Sequence, residues 1–243
     1  ETIAFEEYLV DASLRLHNTR DGTHGANTRC IEIRKTRGQG HVSGLHPFHL
    51  DAAGLRIFPR LRLTDVKKDL PSPASTRARA AFGVEGLDAM LCGGLLPGTT
   101  AVVSGYAGCG KSVLGNHFIA AGLRTGSAGM IVSLKNDPDA IMASATSLGM
   151  HWEEAVGTGQ LRVLHFDPIG LSVEEILDRL VHEIRRKRPD RFLFDSVNSL
   201  AYVARGNERL QEHLLGMTGI LRAIGITSLF LQDARHMDGE SED

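Results

Sequence analysis

The spacing of hydrophobic and polar positions changes near residue 80. Upstream, Arg29–Arg34 alternates, Gly38 and Gly40 punctuate the turn after it, and Pro47, Phe48, Gly54 and Pro59 bracket short apolar runs ending at Ile57-Phe58. This pattern predicts hairpin strands across residues 27–63, with no helical period. A few hairpins cannot bury a core alone, so the segment is expected to complete a domain that begins before this chain. Residues 69–76, with Pro71, Ser72, Pro73 and Ser75, predict a linker. Downstream of about Ala81, apolar runs at Thr100–Ser104, Gly129–Leu134, Leu161–Phe166, Arg191–Phe194 and Thr227–Leu231 alternate with amphipathic stretches. The clearest of these, from about Ser172 to Lys187, puts Val173, Ile176, Leu177, Leu180, Val181 and Ile184 on one helical face. The order predicts an α/β fold, a mostly parallel sheet between helices, preceded by the β-rich tail of another domain.

Composition narrows the class. At 243 residues, 42% hydrophobic and 23% charged, the chain has enough apolar material for one or two cores and is not disordered. No apolar run approaches the ~18 residues of a membrane helix, and no signal peptide is recognisable. Cys30, Cys92 and Cys109 are too dispersed for a zinc ribbon or redox pair, which predicts a reducing, cytoplasmic setting. Glu1 in place of methionine predicts a fragment of a longer protein. Residues 1–80 carry 13 Lys/Arg against 9 Asp/Glu, and residues 81–243 carry 14 against 20, giving the net −2. An acidic main body argues against a nucleic-acid track. The basic run Arg185–Arg188 closes a helix, where cations complement the macrodipole.

One motif carries chemistry. Gly105-Tyr106-Ala107-Gly108-Cys109-Gly110-Lys111-Ser112 matches G-x-x-x-x-G-K-[ST] without a mismatch, after an expected strand and before an expected helix. Its glycines let successive amides turn toward phosphate oxygens, and the following helix adds its positive end. Lys111 supplies a point charge to the outer phosphates, and the Ser112 hydroxyl can ligate Mg²⁺. Cys109 is expected to be a small filler. Asp195, at the tip of the apolar strand Arg191–Phe194, suits the second element that holds Mg²⁺ through water. Gln232, after another strand, is a candidate sensor of the γ-phosphate. ATP and Mg²⁺ are the implied ligands.

Taken together, Gly83–Gly98 leading into this loop, Phe5–Asp11, Lys35-Thr-Arg-Gly38 with His41, and Pro47-Phe48 through Gly54–Pro59 resemble the KaiC family of RecA-fold ATPases over nearly the whole chain. The resemblance implies a RecA-like phosphate-loop fold, with the end of a first KaiC domain at 1–70, a linker at 71–80 and most of a second domain at 81–243. It implies a homo-oligomer, hexameric by the family's pattern, with signalling partners and no membrane. Lys35 and Arg37 would then act in trans on a neighbour's nucleotide in the first-domain ring. Such ATPases follow the strand after the loop helix with two adjacent glutamates, one of which activates the attacking nucleophile. Aligning on Pro138 puts Lys135 and Asn136 there, and neither serves as a base. Asp137 before Pro138 reads as a helix cap, and Glu153-Glu154 as the opening of another helix. The expectation is a nucleotide-binding regulatory ATPase whose second site is impaired in hydrolysis. The competing readings are an active ATPase with serine/threonine autokinase activity and a RadA-like DNA-repair ATPase. The last would call for a basic channel and often a four-cysteine zinc module, which the acidic second part and scattered cysteines do not offer.

Overall fold

A computed structural model of the chain describes residues 9–20, 27–52, 54–59, 78–168, 171–204 and 207–234. The expected linker at 69–76 lies outside them. Strands β1 (Ala12–Arg20), β2 (Asn27–Thr36), β3 (Leu45–Asp51) and β4 (Gly54–Ile57) form an antiparallel sheet in that order. The hairpin pattern foretold β2 to β4. Strand β1 escaped it because its leucines point outward: Leu14 is 59% and Leu16 66% exposed, while Ser13, Arg15 and His17 take the half-buried positions.

The second sheet is parallel throughout. Strands β5 (Thr100–Gly105), β6 (Gly129–Ser133), β7 (Leu161–His165), β8 (Arg191–Asp195) and β9 (Thr227–Asp233) stand in the order β5-β9-β8-β6-β7. Between them run α1 (Glu85–Met90, before β5), α2 (Lys111–Arg124), α3 (Pro138–Ser147), α4 (Glu153–Gly157), α5 (Val173–Arg186), α6 (Val197–Ala204) and α7 (Asn207–Ala223). Strand alternation sorts the core into two layers. Met130, Val132, Phe192, Phe194 and Phe230 pack against α5, α6 and α7 through Ile176, Leu180, Leu200 and Leu221. Ile131, Leu193, Leu229 and Leu231 face α2 and α3 through Phe118, Ile119, Ile141 and Ala145. This is the sheet between helices that the sequence predicts.

Local chemistry fixes the elements around that core. The Ser172 side chain caps α5 by accepting the Glu175 amide at 3.1 Å. At its basic end Arg186 pairs with Glu183 at 3.7 Å, and Arg188 donates to the Ile224 carbonyl just beyond α7. The two sheets meet where His49 Nε2 of β3 lies 3.3 Å from the buried Glu175 carboxylate. Among the described residues, no helix is long and apolar enough to cross a membrane.

One position ties α2 to β8 tightly enough to set a sign. Arg191 is buried, donates to the Phe118 carbonyl at 2.7 Å and to that of Ala81, and places its guanidinium 4.9 Å from the Phe118 ring centroid. A Cβ at Gly122 would stand 2.6 Å from Arg191 Nε and closer still to its Cδ. Gly→Ala inside a helix ordinarily stabilises by about 1 kcal/mol. Here overpacking against an anchored side chain outweighs that gain, so Gly122→Ala is expected to cost about 1–3 kcal/mol. The thermal midpoint should fall; a rise would show that Arg191 gives way freely.

Candidate functional site

Because the sheet is parallel, its strand tips gather at one edge, where open α/β sheets hold ligands. Gly105 ends β5 directly opposite Asp233 at the end of β9, and the Ala234 amide donates to the Gly105 carbonyl at 3.0 Å. The loop turns through Gly108 and Gly110 in left-handed conformations, φ +80° and +93°, which a side chain rarely adopts. Gly110 is the N-cap of α2, and no side chain caps that helix, so its first amides and dipole face the loop's mouth. Gly105 must lack a side chain because a Cβ there would stand 2.5 Å from Cys109 Sγ. The exposed thiol occupies that space and lies 4.0 Å from Lys111 Nζ. Tyr106 and Ala107 form the exposed outer turn, and the Tyr106 carbonyl accepts from the Cys109 amide at 3.3 Å.

Lys111 reaches back across this turn. Its Nζ donates to the Gly105 carbonyl at 2.8 Å and the Tyr106 carbonyl at 2.7 Å, and lies 2.9 Å from Asp233 Oδ1. The hydrogen bond to Asp233 raises its pKa, against a smaller opposing effect of desolvation. Ser112 Oγ, one residue on, donates to Asp195 Oδ2 at 3.1 Å. Burial pushes the Asp195 carboxyl above its ordinary pKa, while the Ser112 hydrogen bond and the cations Lys135 and Lys111 pull it down and Asp233 pushes it up. The structure thus brings the motif's Lys-Ser pair and the strand-tip aspartate together from distant parts of the sequence. A hydroxyl and a carboxylate at that spacing suit a divalent cation, with Ser112 as ligand and Asp195 holding the ion's water.

Beside this corner opens a shallow cleft, where Ser112, Asn116, Asn136 and Asp195 stand over an apolar floor of Ile131 and Leu193. Its rim is set by Ser133, fully buried, whose hydroxyl accepts the Lys135 and Asn136 amides at 3.1 and 2.9 Å. Asn136 therefore lines the cleft on a pinned turn, and Lys135 stands exposed beside it. Asp137 is the N-cap of α3, accepting from the Ala140 amide at 2.8 Å with Pro138 at the first helical position. Glu153 and Glu154 occupy the first turn of α4.

Gln232 and Asp233 lie on opposite faces of β9. Gln232 shares the side of Phe230, whereas Asp233 shares that of Leu229 and Leu231, toward α2, and makes the contact to Lys111. Asn198 at the start of α6 clamps this tip: its Nδ2 donates to the Asp233 carbonyl at 3.2 Å and its Oδ1 accepts the Asp233 amide at 2.7 Å. Sequence reasoning missed both residues, although counting every second position from Leu229 would have flagged Asp233. Lys35 belongs to β2 of the other sheet, and Arg37 lies just beyond that strand's end. Lys35 is opposite Ser13 in the β1–β2 ladder, and the Arg37 guanidinium lies 3.5 Å from Asp11.

Residues 80–243 match the family model described as "ATPase: KaiC". The chain is 31% identical, over 93% of its own length and 42% of the relative's, to the circadian clock oscillator protein KaiC of Picosynechococcus sp.. It is 29% identical to that of Acaryochloris marina, over 96% of this chain and 43% of the relative. It is 30% identical to KaiC 1 of a Synechocystis species, over 93% and 42%. The chain thus spans about two fifths of the length of these curated relatives. With a complete phosphate loop at the edge of a five-stranded parallel sheet, and relatedness running through both of its sheets, the chain belongs to the KaiC family of ATPases.

Proposed function

We propose that the parallel-sheet unit binds ATP with Mg²⁺ and retains it, turning it over slowly, as part of a ring-forming regulatory ATPase. The observation carrying this is the convergence of Lys111, Ser112 and Asp195 with the uncapped start of α2. Amides and one ammonium grip the phosphates, and Ser112 and Asp195 hold the ion that neutralises them. Asn136 in the cleft and Lys135 beside it stand where the family's glutamate pair is expected, and neither draws a proton from an attacking water. In this reading residues 1–70 end a preceding domain, and Lys35 and Arg37 serve a neighbour's nucleotide there, which makes oligomerisation part of the site. Fixed cations beside a γ-phosphate stabilise the charge that develops on it. Gln232 is retained as a candidate sensor acting from the far face of β9. A regulatory role, of the kind that the relatives' name of circadian clock oscillator suggests, belongs to this same proposal.

Incubating the full-length protein with labelled ATP distinguishes the outcomes. Retained, unhydrolysed nucleotide is expected; rapid phosphate release or self-labelling would instead favour a working ATPase or autokinase. Single-stranded DNA binding that weakens steeply with salt would favour a repair ATPase.

Acidity gives a second check. Magnesium competes with a proton for Asp195, and burial raises that carboxyl's pKa. The protonated form therefore starts to accumulate at a higher pH than for an exposed aspartate. Magnesium-dependent ATP affinity, measured by calorimetry from neutral to mildly acidic pH, should begin to fall earlier than an ordinary carboxylate would dictate. Asp195→Asn should weaken binding and flatten that dependence.

A further inference from the structure

We infer that Asp233 is an internal competitor for the phosphate loop: its carboxylate holds one of the Lys111 contacts that a nucleotide phosphate can take and stands beside the others, so it sets how strongly a ligand must bid for the site. The inference rests on the nucleotide-binding reading above. An ammonium has three N–H donors. Lys111 directs them at two loop carbonyls and Asp233 Oδ1 at 2.9 Å, with Cys109 Sγ a longer contact at 4.0 Å. Exchanging a carbonyl for phosphate loses one neutral hydrogen bond, whereas exchanging Asp233 breaks an ion pair and leaves an anion facing the incoming anion.

The placement of Asp233 is built rather than incidental. It stands in register with Gly105, the loop's first residue, and its backbone is held on both sides by the Asn198 amide. Alternation along β9 aims its side chain to the α2 side with Leu231. The Lys111 side chain is only 10% exposed and that of Asp233 39%, so water screens the pair less than it would on an open surface.

The consequence is a threshold. A ligand with one phosphate monoanion exchanges one carboxylate for another weak anion and gains little. A magnesium-bound di- or triphosphate brings several oxygens to the amides of the loop at once and outcompetes a single carboxylate. Asp233 thereby sets an affinity threshold that a lone phosphate does not clear.

The test uses the full-length protein and two readouts. Calorimetry with magnesium-ATP, magnesium-ADP and inorganic phosphate gives affinities; acylation by acetic anhydride, followed at Lys111 by mass spectrometry across pH, reports the ion pair without nucleotide. Asp233→Asn is expected to tighten ATP and ADP by about five- to tenfold and to shift the Lys111 acylation profile to lower pH. The gain should shrink in a Lys111→Ala background, where only repulsion by the aspartate remains to be relieved. Asp233→Ser removes the same charge and replaces the asparagine if that variant does not fold. An acylation shift with unchanged affinity overturns the competition. Weaker magnesium-dependent binding overturns it too, by placing Asp233 in the metal's shell. Absence of nucleotide uptake by every variant, Asp233→Asn included, defeats the nucleotide reading itself, and the competition with it.

Discussion

Lys111→Ala is expected to lower magnesium-ATP affinity by about a hundredfold or more, the scale of two charge-assisted hydrogen bonds lost. The residues that remain do not replace it. Without the ammonium, the Asp233 carboxylate faces the phosphates unneutralised, and Asp195 stands on the next strand. Two acids would then line a site built for a polyanion. Adding Asp233→Asn to Lys111→Ala should therefore restore part of the affinity, a recovery that a merely damaged fold would not show. The fold itself should persist, because the Gly105 and Tyr106 carbonyls released by Lys111 lie at the loop's open mouth, where water can replace the donor. Calorimetry gives the affinities, and near-unchanged melting shows that the loss is local. Undiminished nucleotide uptake by Lys111→Ala would end the phosphate-loop account.

The fold was legible wherever burial dictated residue type. Strands β6 and β8, covered on both faces, read as unbroken apolar runs, and α5 shows a single clean stripe because one face alone meets the core. Strand β1 was illegible for the converse reason: its outward leucines and half-buried polar residues invert the usual signal. Glu174 and Glu175 show a related limit. Charge would place them in water, yet both are buried at the start of α5, Glu175 against Arg179 at 2.5 Å and Glu174 3.6 Å from His213. The first pairing is an i,i+4 contact within α5, but the second joins residues far apart in the chain, which a local pattern does not reveal.

The site divides the same way. The phosphate loop is contiguous, so its eight residues carry their own geometry in their spacing, and the Ser112–Asp195 contact follows from two strands ending at one edge. Asp233 and Asn198 lacked a motif. Their roles arise from the β5–β9 register, which places the end of β9 against the first residue of the loop. Strand order, with β9 and β8 inserted between β5 and β6, is set by packing across the whole sheet and not by any one segment.

The largest gain of activity is expected from Lys135→Glu with Asn136→Glu. A positioned carboxylate that draws the proton from an attacking water contributes ~10²-fold or more, so phosphate release at saturating magnesium-ATP should rise about a hundredfold. The backbone is ready for it: Ser133 pins the amides of both residues, and Asn136 already lines the cleft beside Ser112 and Asp195. The exchange also carries a cost with a readable sign. Lys135 now lowers the pKa of Asp195, so replacing its cation by an anion raises that carboxyl further. The restored activity should accordingly emerge at higher pH, with its acid limb displaced upward as the magnesium site becomes harder to ionise. Asp137→Ala is the control. As the cap of α3 it should cost about 1 kcal/mol of stability and leave slow turnover slow, whereas a base at that position would have made it essential. If the unaltered protein already releases phosphate as fast as the double glutamate variant, then residues 135 and 136 do not limit the chemistry, and the retained-nucleotide reading fails with them.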